Sequence, residues 1–142
     1  MIPLSLYHGV VLLIMLHVAV VDAKTHRIAN STVKAVLGLG LLAPLIVRDA
    51  PLYPEIAVCV FGTVLLSFLL YTAGMGGGDT KIFIALSCVL GIHIVPVIVL
   101  SFAISGIVGI LFVVRGKKSF ADQLPMAPGI AMAMLITSMF LR

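Results

Sequence analysis

Stretches free of Asp, Glu, Lys and Arg alternate along the chain with short polar clusters, and most of the stretches are the length of a helix. Residues 2–21, 35–47, 56–73, 82–114 and 124–141 carry none of these four residue types. A helix needs about 20 residues to cross ~30 Å of hydrocarbon. The pattern predicts helices over residues 2–21, 32–47 and 56–73. Lys34 lies near the start of the second, where its long stem lets the ammonium reach the interface. The 33-residue run from Ile82 to Val114 is too long for one ordinary span. Gly91, His93 and Pro96 mark a break in it. This gives a fourth helix over 80–94, a fifth over 95–114 and a sixth over 124–141.

Charge supports the division. With six spans, Lys24, Arg27, Lys34, Lys81, Arg115, Lys117 and Lys118 share one side, and Arg48 and Arg142 share the other, seven against two. If 82–114 were a single helix, the count would become five against four. Basic residues concentrate on the cytoplasmic side, so six spans are favoured, with both termini outside. Asp22, Asp79 and Asp122 then fall on the cytoplasmic side, and Asp49 and Glu55 on the outer side.

Composition narrows the class. Of 142 residues, 62% are hydrophobic and 10% charged, with a mean hydropathy of +1.30. The expectation is an all-α polytopic membrane protein, one membrane-embedded domain over residues 1–142, in contact with lipid. Backbone polar groups in lipid must be satisfied within each helix, which sets open sheets aside. The net charge of +4 comes from residues flanking apolar runs, so it signals orientation and not nucleic acid. The first apolar run is not preceded by basic residues, so it reads as a retained helix and not a secretion signal. Cys59 and Cys88 lie inside apolar runs as packed side chains, without CxxC spacing. His8 and His17 are nine apart, on nearly opposite faces of a helix, and no metal-binding spacing links them to His26 or His93. Neither a metal nor a cofactor is expected. Ser101, Ser105 and Gly109, four apart, allow close helix packing, and Asn30 is placed to cap the second helix.

Chemistry concentrates at two acids. Asp79 closes Gly74-Met75-Gly76-Gly77-Gly78-Asp79 and is followed by Thr80 and Lys81. Consecutive glycines permit unusual backbone and close approach of another chain, and a turn opening a helix leaves free N–H groups. The loop lacks the GxxxxGK[ST] phosphate-binding pattern. An N-cap role for Asp79 is the plain alternative. Asp22 ends the first apolar run and is followed by Lys24 and Arg27, which balance it if it is merely interfacial. Both acids are expected on one membrane face at similar depth. Two carboxylates a few Å apart do not both ionise easily. One is then free to deprotonate a water while the other polarises a peptide carbonyl and protonates the leaving nitrogen. The pair titrates as a unit, so the roles stay unassigned at this point. Lys24 and Lys81 stand two residues past the respective acids, either as snorkelling anchors or as charges acting on an aspartate or on substrate.

Gly76-Gly77-Gly78-Asp79 matches the GxGD signature of membrane-embedded aspartyl proteases. Asp22, Lys24 and Ile28-Ala29-Asn30 resemble the D-x-(K/R)-x-x-x-I-P-N stretch of the prepilin peptidases, with Ala29 in place of proline. Gly78-Asp79-Thr80-Lys81, with Ile82 and Ala85, resembles their G-D-x-K-L-x-x-A continuation. Leu124-Pro125-Met126-Ala127-Pro128-Gly129-Ile130 resembles their late proline-containing segment. The chain thus resembles the type IV prepilin peptidase family, in the short form associated with tight-adherence (Flp) pili. The resemblance implies an aspartic endopeptidase of the bacterial inner membrane with its active site facing the cytoplasm. Asp22 and Asp79 would be catalytic, with Gly76, Gly77, Gly78, Lys24 and Lys81 in support. The implied substrate is a pilin or pilin-like precursor with a short basic leader, and pilus assembly machinery is an implied partner. The cytosolic insert and paired CxxC motifs of the long bifunctional relatives are absent, so cleavage without methylation is expected. Two other classes stay open. A small proton-coupled transporter would also carry intramembrane acids and glycine-broken helices, and a non-catalytic scaffold of a pilus or secretion machine would tolerate loss of both acids. Oligomeric state is not set by these features.

Overall fold

The computed structural model describes residues 1–25, 27–72, 75–116 and 126–140. These residues form six α-helices: α1 (Leu4–Thr25), α2 (Asn30–Ile46), α3 (Tyr53–Thr72), α4 (Gly77–Leu90), α5 (Ile94–Val114) and α6 (Ala127–Phe140). A 3-10 turn, Gly91–His93, separates α4 from α5. No strand occurs among the described residues. One isolated bridge joins Ile2 to Val47. There Ile2 N–H donates to the Ile46 carbonyl and Arg48 N–H donates to the Ile2 carbonyl, each at 2.9 Å.

The helices alternate in direction. Leu4–Thr25 and Tyr53–Thr72 are each long and apolar enough to cross a membrane, as is the stretch Gly77–Val114, and Asn30–Ile46 and Ala127–Phe140 are shorter apolar helices. Gly77–Val114 is not one rod. Phe83 of α4 stacks with Phe102 of α5 at 6.2 Å between ring centroids. On one straight helix, rings 19 residues apart would stand roughly 28 Å apart. α5 therefore folds back along α4.

The break falls at Gly91–His93, which includes two of the residues that mark it in the sequence; α4 ends four residues before the expected boundary and α5 starts one residue before it. Gly91 has φ +53°, a region that glycine enters without the Cβ penalty of other residues. A Cβ there would stand 2.6 Å from Glu55 Oε1 and 3.0 Å from Pro51. The Ile92 N–H donates to Glu55 Oε1 at 3.4 Å, so the acid in the first turn of α3 holds the turn. Pro96 lies in the first turn of α5, where its missing N–H has no intrahelical acceptor to lose.

The remaining boundaries also move. α1 continues to Thr25 and takes Asp22 into its last turns. α2 begins at Asn30, with Ala29 as the cap residue and no side-chain cap bond, so Asn30 does not cap it. α4 begins at Gly77 instead of residue 80. α6 begins at Ala127; Leu124 and Pro125, where the sixth helix was expected to start, lie outside the described residues, as do His26, Gly74, Lys117, Lys118, Asp122 and Arg142.

Packing joins α1, α5 and α6 on one side and α2, α3 and α4 on the other. Most of α4 is buried, including Ile82, Phe83, Leu86 and Val89, so it forms the central post. Val58, Phe61, Phe68 and Leu69 of α3, with Val99 and Ile107 of α5, are among the large apolar side chains turned outward, as expected where lipid replaces water as solvent. Small residues set the closest crossings. A Cβ on Gly40 of α2 would stand 2.6 Å from Cys88 Cβ and 2.8 Å from the Cys88 carbonyl carbon of α4. A Cβ on Gly129 of α6 would meet Ser105 Oγ and, at 3.1 Å, the Ser101 carbonyl oxygen of α5. The Ser101–Ser105 spacing thus marks a close helix crossing, as the sequence predicts.

Candidate active site

Asp22 belongs to the buried stripe of α1. Tyr7, Val11, Met15, Val18 and Asp22 recur at intervals of four and three and are all buried, the spacing of one helix face. Asp22 is therefore directed into the bundle and is only 4% exposed. Its Oδ2 accepts a hydrogen bond from the backbone N–H of Ala127, the first residue of α6, at 3.2 Å.

Asp79 is the third residue of α4 and is half-buried. Gly76 precedes the helix in an extended conformation, φ −62° and ψ 135°, and the glycines of positive φ among the described residues are Gly91 and Gly116. The expectation of unusual backbone at Gly76–Gly77–Gly78 is therefore corrected: Gly77 and Gly78 form the first turn of α4. Their absent side chains matter instead. A Cβ on Gly76 would lie 3.1 Å from Asp79 Oδ2, one on Gly78 3.5 Å from Ile28 Cβ, and one on Gly77 3.8 Å from the Tyr71 ring. The turn is closed by Thr80, whose N–H donates to the Gly76 carbonyl at 3.3 Å and whose hydroxyl donates to the Gly77 carbonyl at 2.9 Å. Asp79 does not cap the helix; it stands inside the first turn, where a carboxylate interacts favourably with the helix dipole.

The two acids, 57 positions apart in the chain, come to one end of the bundle from its two halves. Lys24 and Lys81 are placed differently from one another. Lys24 is exposed at the end of α1. Lys81 is exposed and its Nζ donates to Asn30 Oδ1 at 3.4 Å. That contact ties the start of α4 to the start of α2, and Ile28 packs over Gly78 just before it. Among the described residues the ion pair present is Arg48–Asp49, at the opposite end. Tyr7, His8 and His93 also belong to that far end, His8 beside Thr137 and Ser138. No group of three or more His, Cys, Asp or Glu among the described residues is placed to hold a metal ion.

Sequence reading missed the Ala127 amide and the packing of Ile28. Pro128 signals the beginning of a helix, but nothing local pairs that helix with Asp22.

The sequence profile of the type IV leader peptidase family matches residues 9–114, a span that contains both acids. The chain belongs to that family. No curated protein matches the chain, and no solved structure matches it. The match begins in α1 and ends with α5, so both glycine-flanked Asp79 and stripe-borne Asp22 lie within the leader peptidase region, while α6 lies beyond it. Together with the apolar helices, it makes this a membrane-embedded member of a protease family. The carrier and scaffold readings gain no comparable support.

The close approach of Gly76 to the Asp79 carboxyl gives a test of site geometry. Gly76→Val is expected to lower turnover ~10- to 100-fold, the range for a misplaced catalytic group. The melting temperature in detergent should change little, because Gly76 is exposed. Turnover close to wild type would mean that the Asp79 side chain accommodates the methyl groups freely.

Proposed function

We propose that this leader peptidase is an aspartic endopeptidase in which Asp22 and Asp79 form the catalytic pair. The observation that carries the reading is the convergence of the two carboxylates, one from α1 and one from α4, at one end of the bundle. Two carboxylates that approach within a few Å share one proton. The ionised member removes a proton from water, and the water oxygen attacks the peptide carbonyl carbon. The protonated member polarises the carbonyl oxygen. As the carbon–nitrogen bond breaks, a proton passes to the leaving nitrogen. The proton taken from water restores the starting state of the pair.

The substrate is a pilin or pilin-like precursor, cut between a short basic leader and an apolar helix. Lys24, Arg27, Lys34, Lys81 and Arg115 belong to the end of the bundle that carries the acids, while Arg48 belongs to the other. By the positive-inside rule this supports a cytoplasmic active site, six spans and both termini outside, in the bacterial inner membrane. The apolar outer faces of α1 and α3 flank the acids, with Val20 and Phe68 exposed, and offer a greasy side for a substrate helix. Gly76, Gly77 and Gly78 keep the approach to Asp79 open. The absence of an internal insert with paired CxxC motifs supports a peptidase-only enzyme of the tight-adherence type, acting beside pilus assembly machinery.

The test is direct. Purified protein is incubated with synthetic precursors that carry a basic leader and one apolar helix, and the products are mapped by mass. One cut near the leader–helix boundary is expected, with no methyl group added. Precursors left intact by folded protein would contradict the reading.

A further inference from the structure

The end of α1 is a poor place for a buried carboxylate. The last carbonyls of a helix carry partial negative charge and lack intrahelical partners. A buried carboxylate also requires hydrogen-bond donors to replace the water it has lost. Asp22 meets both difficulties, being 4% exposed and three residues from the end of α1. Its relief comes from a different helix. α6 packs antiparallel to α1, its amino-terminal amides face the end of α1, and Ala127 N–H donates to Asp22 Oδ2 at 3.2 Å.

The axial position of α6 is itself fixed. Met126 accepts the first helical bond, from Ile130 N–H at 3.0 Å, so Ala127 is the first full helical residue and its amide has no acceptor within α6. Ala127, Ile130 and Ala133 are fully buried against the bundle. Gly129 presses against Ser101 and Ser105 with no room for a Cβ. A helix held this closely cannot slide along α5 without clashes, and its first amide therefore stays level with Asp22.

We infer that the amino-terminal end of α6 is a positioning element of the active site, with the Ala127 amide fixing the orientation of the Asp22 carboxyl. The inference rests on the catalytic pair proposed above. It goes further by assigning α6 a part in catalysis, through the placement of a catalytic group and not through contact with the reacting atoms.

Proline and glycine at position 127 separate the amide from the fold. Ala127→Pro deletes the one N–H while leaving a residue that suits the first helical position. Ala127→Gly removes only the methyl group and keeps the N–H. With a synthetic precursor peptide as substrate, Ala127→Pro is expected to lower kcat ~10- to 100-fold, the worth of one hydrogen bond to a charged group. KM should stay within about twofold, because the substrate surface is unchanged. Ala127→Gly, which keeps the N–H, should lose at least ~fivefold less kcat than Ala127→Pro. Wild-type kcat in Ala127→Pro, alongside an inactive Asp22→Asn, would overturn the inference and leave the catalytic pair standing. Equal losses in the proline and glycine variants would overturn it too, because the amide would then not be the cause. Cleavage by Asp22→Asn would remove the catalytic pair and this inference together. A second measurement depends neither on the substrate nor on the folding of the proline variant. Amide hydrogen exchange at Ala127 is compared in wild type and Asp22→Ala, and a tenfold or greater loss of protection is expected when the acceptor is removed. Unchanged protection would overturn the inference.

Discussion

Replacing either Asp22 or Asp79 with Asn is expected to lower precursor cleavage by at least ~10³-fold, the scale for removing one member of a catalytic unit, and the double variant should be scarcely worse than either single one. The reason is chemical. An amide has nearly the shape of a carboxyl group but neither takes a proton from water near neutral pH nor gives one to a leaving amine. In the proposed mechanism the pair works only with one ionised and one protonated member, so loss of either would remove the whole proton circuit. Non-additivity is the informative part, because two independent structural sites would lose activity multiplicatively. The measurement is single-turnover cleavage in membranes, with insertion checked by protease accessibility. Either single variant retaining more than about a tenth of wild-type cleavage would mean that the acids do not act as a unit.

A large effect on stability is expected at Gly40. A Cβ there would stand 2.6 Å from Cys88 Cβ, 2.8 Å from the Cys88 carbonyl carbon and 3.0 Å from Val89 N. Two of these neighbours are backbone atoms of the central helix, so no side-chain rotation relieves the contact. Gly40→Ala is expected to cost about 1–3 kcal/mol, the range for overpacking in a dense interior. The melting temperature in detergent should fall by ~3 °C or more. Gly38, two residues earlier, has nothing within 4 Å of its ideal Cβ. Gly38→Ala should be neutral or stabilising by up to about 1 kcal/mol, since alanine loses less backbone freedom than glycine in a helix. Opposite signs at Gly38 and Gly40 would establish that α2 lies on α4 at the observed register. Equal effects would refute that packing. Gly40→Ala should also depress activity, because α2 begins beside Asp79 through Asn30, Lys81 and Ile28.

Much of this arrangement is legible in the chain because lipid imposes simple rules. Uncharged runs become helices, and an overlong run must turn. The 33-residue run from Ile82 to Val114 does so, and Gly91 supplies the positive φ. Gly91 and His93 mark the turn correctly, whereas Pro96 is no breaker, because a proline in the first turn of a helix costs little. The three glycines before Asp79 read as irregular backbone. They are ordinary helix start, chosen for small size, and only coordinates show that a methyl group at Gly76 would crowd the carboxyl of Asp79. Asp22 could have been assigned to the bundle interior from its place on the Tyr7–Val11–Met15–Val18 stripe, but treating it as the end of a span hid that register. The amide that Ala127 gives to Asp22 spans 105 positions, and no local pattern encodes a contact at that separation. Both acids could be singled out from their neighbours in the chain; their mutual approach is a property of how α1, α4 and α6 pack.

The most direct measurement concerns the meeting of the two carboxyl positions. In a Cys59→Ala, Cys88→Ala background, Asp22→Cys and Asp79→Cys are introduced together and treated in membranes with a short bifunctional thiol reagent. The account predicts one intramolecular bridge per chain, found by mass as a single reagent joining the peptides that carry positions 22 and 79, with no free thiol left. Two separately modified cysteines without a bridge, under conditions where each single-cysteine protein reacts, would contradict it.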